Sequence, residues 1–196
     1  MYLSRVVIHD KRSLNNPYDW HRALWTLFPD MPQGDSSPFM YRIERMQLGR
    51  GAEVLLQSYQ APNDMSDCVR ILASKELAPR FSEGQHLGFT LQANPTKKIK
   101  DAKDPERKVR VPFLKEEEQE AWLQRKFEGV AQLESVLIRT NPPTYFSKRR
   151  QGGKVVSVNF DGILRVTDAE QFSQILQTGI GPAKAFGCGL MLVRCV

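Results

Sequence analysis

Gly179-Ile-Gly-Pro-Ala-Lys-Ala-Phe-Gly-Cys-Gly-Leu190 runs directly into the apolar segment Leu190-Met-Leu-Val193. Four of the chain's thirteen glycines fall in this stretch, with Lys184 among them. Glycines at this density let a backbone approach a partner closely and turn its N–H groups outward. The lysine points to an anionic partner. The spacing does not fit a nucleotide-binding loop. No Gly-Lys-Ser/Thr ending is present, and the glycines precede a strand-like run instead of joining a strand to a helix. Taken alone, the stretch reads as a phosphate-contacting loop, or else as a helix C-cap followed by a tight turn.

Working outward, Ala169 to Gln177 reads as a helix capped by Asp168, and Leu190 to Val193 as the last strand. Upstream, Val155 to Val166 is a strand pattern with a break at Asp161-Gly162. Lys148-Arg-Arg-Gln-Gly-Gly-Lys154 reads as a hairpin turn. Tyr145-Phe146 and Glu134 to Ile138 are strand-like. Pro112 to Phe127 is a helix with acidic first turns and basic last turns, as the macrodipole favours, and Gly129 closes it. Thr96 to Arg110 holds seven Lys or Arg against three Asp or Glu. It reads as a solvated linker or as a phosphate-contacting arm.

The first half gives a strand at Tyr2 to Ile8 and a helix start at Asn15-Asn16-Pro17. The helix carries Trp20, Ala23, Leu24, Leu27 and Phe28 on one side and stops at Pro29. Strands follow at Phe39 to Ile43 and Val54 to Ser58, around a turn at Leu48-Gly-Arg-Gly51. Met65 to Leu72 is a short helical candidate, and Gln85 to Ala93 is another strand. Strand, helix, strand, strand, helix, strand is the ferredoxin-like order, a common scaffold for RNA-binding sheets. The second half repeats the theme without a detailed sequence repeat.

The chain of 196 residues is 41% hydrophobic, enough for a substantial core, and carries a net charge of +6. The basic balance points to a polyanion. Cys68, Cys188 and Cys195 are not at metal-ligand spacing, and the expectation is of no metal and no cofactor. An odd, sparse cysteine count fits a reducing cytoplasm. The opening Met1 to His9 is too short in its apolar part for a signal peptide and alternates like a strand. No stretch approaches the roughly 20 apolar residues of a membrane span.

Only three histidines are present: His9, His21 and His86. Imidazole titrates near neutrality and serves as acid or base. Tyr18 and His21 are three apart on a helix and share a face. Arg22 follows and is suited to pairing with a phosphate. The structural alternatives are an exposed helix histidine and a tyrosine capping the core. Lys148, Arg149, Arg150 and Lys154 at the hairpin tip are suited to lying along a nucleic-acid groove, or simply to solvation.

The chain resembles CRISPR-associated endoribonucleases, the CasE-type processing subunits of type I-E Cascade complexes. The likeness spans the whole chain. Its markers are Met1-Tyr-Leu-Ser-Arg-Val6, Tyr18-Asp-Trp-His21, Val54-Leu-Leu-Gln-Ser58, Ala93-Asn-Pro95, Val111-Pro-Phe-Leu-Lys-Glu-Glu-Glu-Gln-Glu-Ala-Trp-Leu-Gln-Arg-Lys126 and, most specific, Gly179 to Leu190. The resemblance implies an α+β fold of two tandem ferredoxin-like (RAMP/RRM-like) domains with a C-terminal glycine-rich loop. The expected division is residues 1–95 with the catalytic helix, a basic linker at 96–110, and residues 111–196 with the basic hairpin and glycine loop.

It also implies metal-independent cleavage of precursor CRISPR RNA on the 3′ side of the repeat stem. The 2′-hydroxyl attacks and a cyclic phosphate remains. His21 and Tyr18 match the catalytic pair, while His9 has no such match. Lys97, Lys98 and Lys100, the basic hairpin, Gly181, Lys184, Gly187 and Gly189 are expected RNA contacts. The implied partners are the repeat stem-loop and other Cascade subunits, chiefly the backbone subunit, with no membrane. The rival readings are a non-catalytic RNA-binding subunit with His21 idle, and an unrelated ferredoxin-like domain that binds small anions.

Overall fold

In a computed structural model, the described residues are all except 10–16, 32–36, 48–50, 65, 102–103, 105, 107 and 149–150. The side chains of 47, 147, 148 and 151 also lie outside that set. The chain divides into two compact units. The first comprises Met1–Pro79, Pro143–Val155 and Ala183–Leu190. The second comprises Arg80–Pro142, Val156–Pro182 and Met191–Val196.

The first unit holds β1 (Tyr2–Ile8), α1 (Pro17–Trp25), β2 (Phe39–Gln47), β3 (Gly51–Ser58) and β4 (Val69–Glu76). They form an antiparallel sheet in the order β2-β3-β1-β4. β1 alternates, with Ser4, Val6 and Ile8 inward and Arg5 outward, as a half-buried strand must. Val6, Ile8, Ala52, Val54, Leu56, Phe39 and Tyr41 pack against Trp20, Ala23 and Leu24 of α1. Truncating a fully buried leucine such as Leu24 to Ala costs about 2–5 kcal/mol.

The expected helix at Met65 to Leu72 is absent, and β4 takes its place from Val69. Ser66 Oγ accepts from the N–H groups of Cys68 and Val69, and Asp64 Oδ1 accepts from Ile71 N–H. Asp64 takes the Ile71 N–H that a helix would direct to residue 67, and Val69 to Glu76 pair with β1 instead. Val69 and Ile71 then alternate inward. The turn at 48–50 and the Asn15-Asn16 cap lie outside the described residues.

The second unit begins with β5 (His86–Ala93), which its place in the sequence puts with the first half. A hairpin of β6 (Thr96–Lys100) and β7 (Lys108–Pro112) follows, then α2 (Glu116–Phe127), β8 (Ala131–Thr140), β11 (Val158–Val166), α3 (Ala169–Thr178) and β12 (Met191–Cys195). The sheet order β12-β5-β11-β8 gives a complete βαββαβ ferredoxin-like unit. Its core includes Leu87, Phe89, Leu91, Leu123, Phe127, Phe160, Leu164 and Phe172. Fully buried Gln119 is satisfied, because its Nε2 donates to Phe113 O and Thr140 Oγ1.

The structure therefore corrects the expected boundary at 95. β5 pairs along its length with β11 and β12, and those ladders place it in the second sheet. The basic stretch 96–110 is not a structureless linker either. Ile99 and Val109, with Val111 just beyond, alternate with the cations, and Thr96–Lys100 pairs with Lys108–Pro112 as an antiparallel hairpin. At Gly162 the strand continues unbroken. A side chain there would collide with the Ser135 carbonyl, so the glycine serves close strand approach.

β9 (Thr144–Lys148) and β10 (Gln151–Val155) form the remaining hairpin, in the first unit. Residues 183–190 join the same unit as α1.

Candidate functional site

The first unit assembles four pieces distant in sequence: α1, β2, the β9–β10 hairpin and the loop from Ala183. α1 packs against both β9 and the short 3-10 turn Lys184–Phe186. Trp20, Ala23 and Leu24 anchor α1 in the core, which leaves His21 on the flank, half-buried.

Three aromatic rings surround His21. Its ring centroid lies 5.3 Å from Phe39, 6.2 Å from Trp25 and 6.4 Å from Tyr41. Phe39 and Tyr41 reach it together because they are two apart on β2 and share a face. Among the described residues, His21 Nε2 is buried without a hydrogen-bond partner. Burial holds the imidazole below its ordinary value of 6.5, so it is neutral near pH 7. An unpartnered buried polar atom is uncommon and calls for a reason, of which a catalytic role is one.

Tyr18, one turn earlier on α1, is half-buried and engaged in an interaction of its own. Arg22 is exposed and meets Asp19 at a long 3.7 Å. Exposed pairs of this kind contribute little, so the guanidinium is available to an incoming anion.

The glycine-rich loop is held from β2. Tyr41 Oη donates to Ala185 O at 2.7 Å. Burial, and secondarily Cys188, push the Tyr41 phenol far above its usual range, so it remains a donor. Ala183 takes the left-handed conformation at φ 66°. Its carbonyl accepts from the N–H groups of Phe186 and Cys188. Gly187, at φ 77°, lies over the Tyr41 ring. Lys184 is half-buried, which lowers its pKa, and it is already partnered. Gly189 is buried in the same segment.

The β9–β10 hairpin docks through Phe146, whose ring centroid lies 4.4 Å from that of Phe186. Gly153 faces Phe146, and a β-carbon there would strike the ring. On the other face, Tyr145 is 71% exposed and stands opposite exposed Lys154. Lys148 pairs with Gln151 at the end of the hairpin. Arg149, Arg150 and the Lys148 side chain lie outside the described residues.

Tyr18, His21, Arg22, Lys154, Lys184, Gly187 and Gly189 thus share one unit, while Lys97, Lys98, Lys100 and Gly181 belong to the other. Gly181, at φ 82°, packs against Trp122, leaving no room for a side chain. Among the described residues no group of acidic, histidine and cysteine side chains could hold a metal ion. No described helix is long and apolar enough to cross a membrane. His9, at the end of β1, donates its N–H to Cys68 O. Sequence reasoning missed Phe39, Tyr41, Phe146 and Phe186. Only the period-two placement of Phe39 and Tyr41 was available as a signal, and it reads equally as core.

His21 with its aromatic surround, Arg22, the β9–β10 hairpin and the loop from Ala183 are gathered in one unit. The family model described as CRISPR associated protein matches residues 1–195, and the chain belongs to that family. It is 39% identical to the CRISPR system Cascade subunit CasE of Escherichia coli (strain K12), over 97% of this chain and 98% of that one. The crystal structure of the CRISPR-associated protein Cas6e from Escherichia coli K-12 is similar at a TM-score of 0.87, with 38% identity and both chains fully covered. A structure of the CRISPR endoribonuclease Cse3 bound to a 19-nucleotide RNA is similar at 0.81, with 27% identity over 99% of this chain and 100% of that one.

Proposed function

We propose that this protein is an endoribonuclease that processes precursor CRISPR RNA and stays with its product as a Cascade subunit. It binds the stem-loop of the repeat and cuts once, on the 3′ side of the stem base, in the cytoplasm. The observation that carries this reading is His21: neutral, with an unpartnered nitrogen, in the unit that also holds Arg22, the basic hairpin and the glycine loop. The likeness to a Cascade subunit and to an RNA-bound endoribonuclease supports the choice of substrate.

The ribose 2′-oxygen bonds to the adjacent phosphorus and the bond from phosphorus to the 5′-oxygen breaks. A 2′,3′-cyclic phosphate and a free 5′-hydroxyl result. The 2′-hydroxyl gives up a proton and the 5′-oxygen gains one. Neutral His21 accepts the first; once protonated, it becomes an acid for the second. The Tyr18 hydroxyl supports the same phosphate from the shared helix face, and Arg22 neutralises charge there. With one histidine at the site, the rate comes mainly from holding the 2′-oxygen in line and from stabilising the phosphorane. Slow turnover is sufficient for a subunit that keeps its product.

Recognition is by shape and charge, because side chains cannot read the deep, narrow major groove of A-form RNA. The hairpin carrying Lys148, Arg149, Arg150 and Lys154 lies along the stem. Lys184, Gly187 and Gly189 approach the scissile region, while Lys97, Lys98, Lys100 and Gly181 are further candidates from the second unit. Within Cascade the chief protein neighbour is the backbone subunit. Incubation with a repeat stem-loop in EDTA tests the reading: a single cut with a cyclic phosphate end is expected, and intact bound RNA would instead mean a non-catalytic subunit.

A further inference from the structure

A histidine that moves protons is usually oriented by a hydrogen bond on its ring. Among the described residues, His21 Nε2 has none. Asp19, the carboxylate of α1, pairs with Arg22 instead. The χ2 torsion of a histidine is broad and settles little by itself. Packing therefore decides where the imidazole points. Phe39 supplies the nearest of the three surrounding rings, at 5.3 Å. Trp25 sits one turn along the same helix, so it travels with His21. Tyr41 is farther off, at 6.4 Å, and its hydroxyl is committed to Ala185.

Phe39 comes from a different element, β2, and is itself held from several directions. It is 3% exposed. Its ring stacks on Phe28 with centroids 5.3 Å apart and planes 15° from parallel. It meets Trp25 edge to face, at 5.7 Å and 72°. Its backbone is held as well. Phe39 N–H donates to Ser37 Oγ at 3.3 Å, and the same hydroxyl donates to Phe39 O at 2.9 Å. Opposite Ser58, Phe39 also begins the ladder between β2 and β3. A ring fixed in this way to the sheet gives the imidazole on α1 a rigid wall.

We propose that Phe39 is a positioning residue for cleavage, a flat wedge that fixes the plane of the His21 imidazole and acts on the rate through His21 alone. The inference rests on the RNA-processing reading above, and it adds the residue that orients the base. Orientation matters because a displacement of about 1 Å can cost roughly 10²-fold in rate. A purely apolar side chain of other shape would fill the space without fixing the plane.

The test is a double-mutant cycle in single-turnover cleavage of the repeat stem-loop at saturating RNA. It compares wild type, Phe39→Leu, His21→Ala and the double variant. Phe39→Met, which keeps more of the volume and loses the flat ring, carries the cycle should Phe39→Leu fail to fold. Either substitution should slow cleavage by roughly 10²-fold. Stem-loop affinity should stay near that of the wild type, since Phe39 is buried and uncharged. In the His21→Ala background the same substitution should slow cleavage no further, because the group it orients is gone. Phe160→Leu, a fully buried ring in the other unit, controls for general destabilisation and should leave the rate near wild type. Equal slowing by Phe39→Leu with and without His21 would overturn the proposal, as would a wild-type rate in Phe39→Leu or equal slowing by Phe160→Leu. A wild-type rate in His21→Ala would instead overturn the enzymatic reading, so the two failures are told apart.

Discussion

Tyr41, near the start of β2, donates a hydrogen bond to the carbonyl of Ala185, 144 residues later, at 2.7 Å. The same Tyr41 ring flanks His21. One buried side chain therefore sets the glycine-rich loop and the imidazole relative to each other.

Tyr41→Phe keeps the ring and removes only that bond. Leaving the partner carbonyl unmet should cost about 1–2 kcal/mol, measured by chemical denaturation. Single-turnover cleavage at saturating RNA should slow more than the dissociation constant rises, because the loop is misplaced while its lysine, Lys184, remains. Equal loss in both would mean that Tyr41 only supports the fold.

Gly153→Val forces a side chain into the Phe146 ring, which lies against Phe186. Overpacking of this kind costs about 1–3 kcal/mol. The hairpin should detach from the loop, and stem-loop affinity should fall with it. Gly152→Val, where the structure has open space, should do neither. Matching effects at the two glycines would contradict the docking role of Phe146.

Burial lowers the pKa of His21 from 6.5 in the folded state. Between that lowered value and 6.5 the unfolded chain binds more protons. Stability contributed by the neutral, buried imidazole is therefore complete above pH 6.5 and is lost as pH falls toward the folded value. Urea midpoints at about pH 7.5 and about pH 5.5 should fall further in the wild type than in His21→Gln. An identical fall in both would show that His21 is not the titrating group.

The parts that were legible in the sequence are those set by local chemistry. The Asp168 cap accepts from Gln171 N–H and begins α3 where expected. The shared face of Tyr18 and His21 follows from helical spacing alone. What escaped was decided by strand pairing. β5 has the same alternation whichever sheet it joins, and only its ladders with β11 and β12 assign it. Met65 to Leu72 holds enough apolar residues for a helix, but Ser66 and Asp64 bond the local backbone in an extended entry. The Phe39 and Tyr41 side of the aromatic surround of His21 depends on β2 meeting α1, which no spacing within either segment specifies.

Tyr18→Phe removes a supporting hydroxyl and keeps the ring. It should slow cleavage less than His21→Ala does, in single-turnover assays on the repeat stem-loop. His9→Ala should leave the rate near wild type, since His9 sits at the end of β1 and has no assigned part in the chemistry. A His9→Ala loss equal to that of His21→Ala would establish a two-histidine mechanism.

The most direct test of the central claim is single-turnover cleavage of the repeat stem-loop in EDTA by wild type and His21→Ala, with affinity measured alongside. Removing the proton-transfer group should slow cleavage by about 10²–10⁴-fold. Stem-loop affinity should stay nearly intact, because a neutral imidazole adds little to phosphate binding. A His21→Ala variant that binds the stem-loop and keeps most of the wild-type rate would contradict the account.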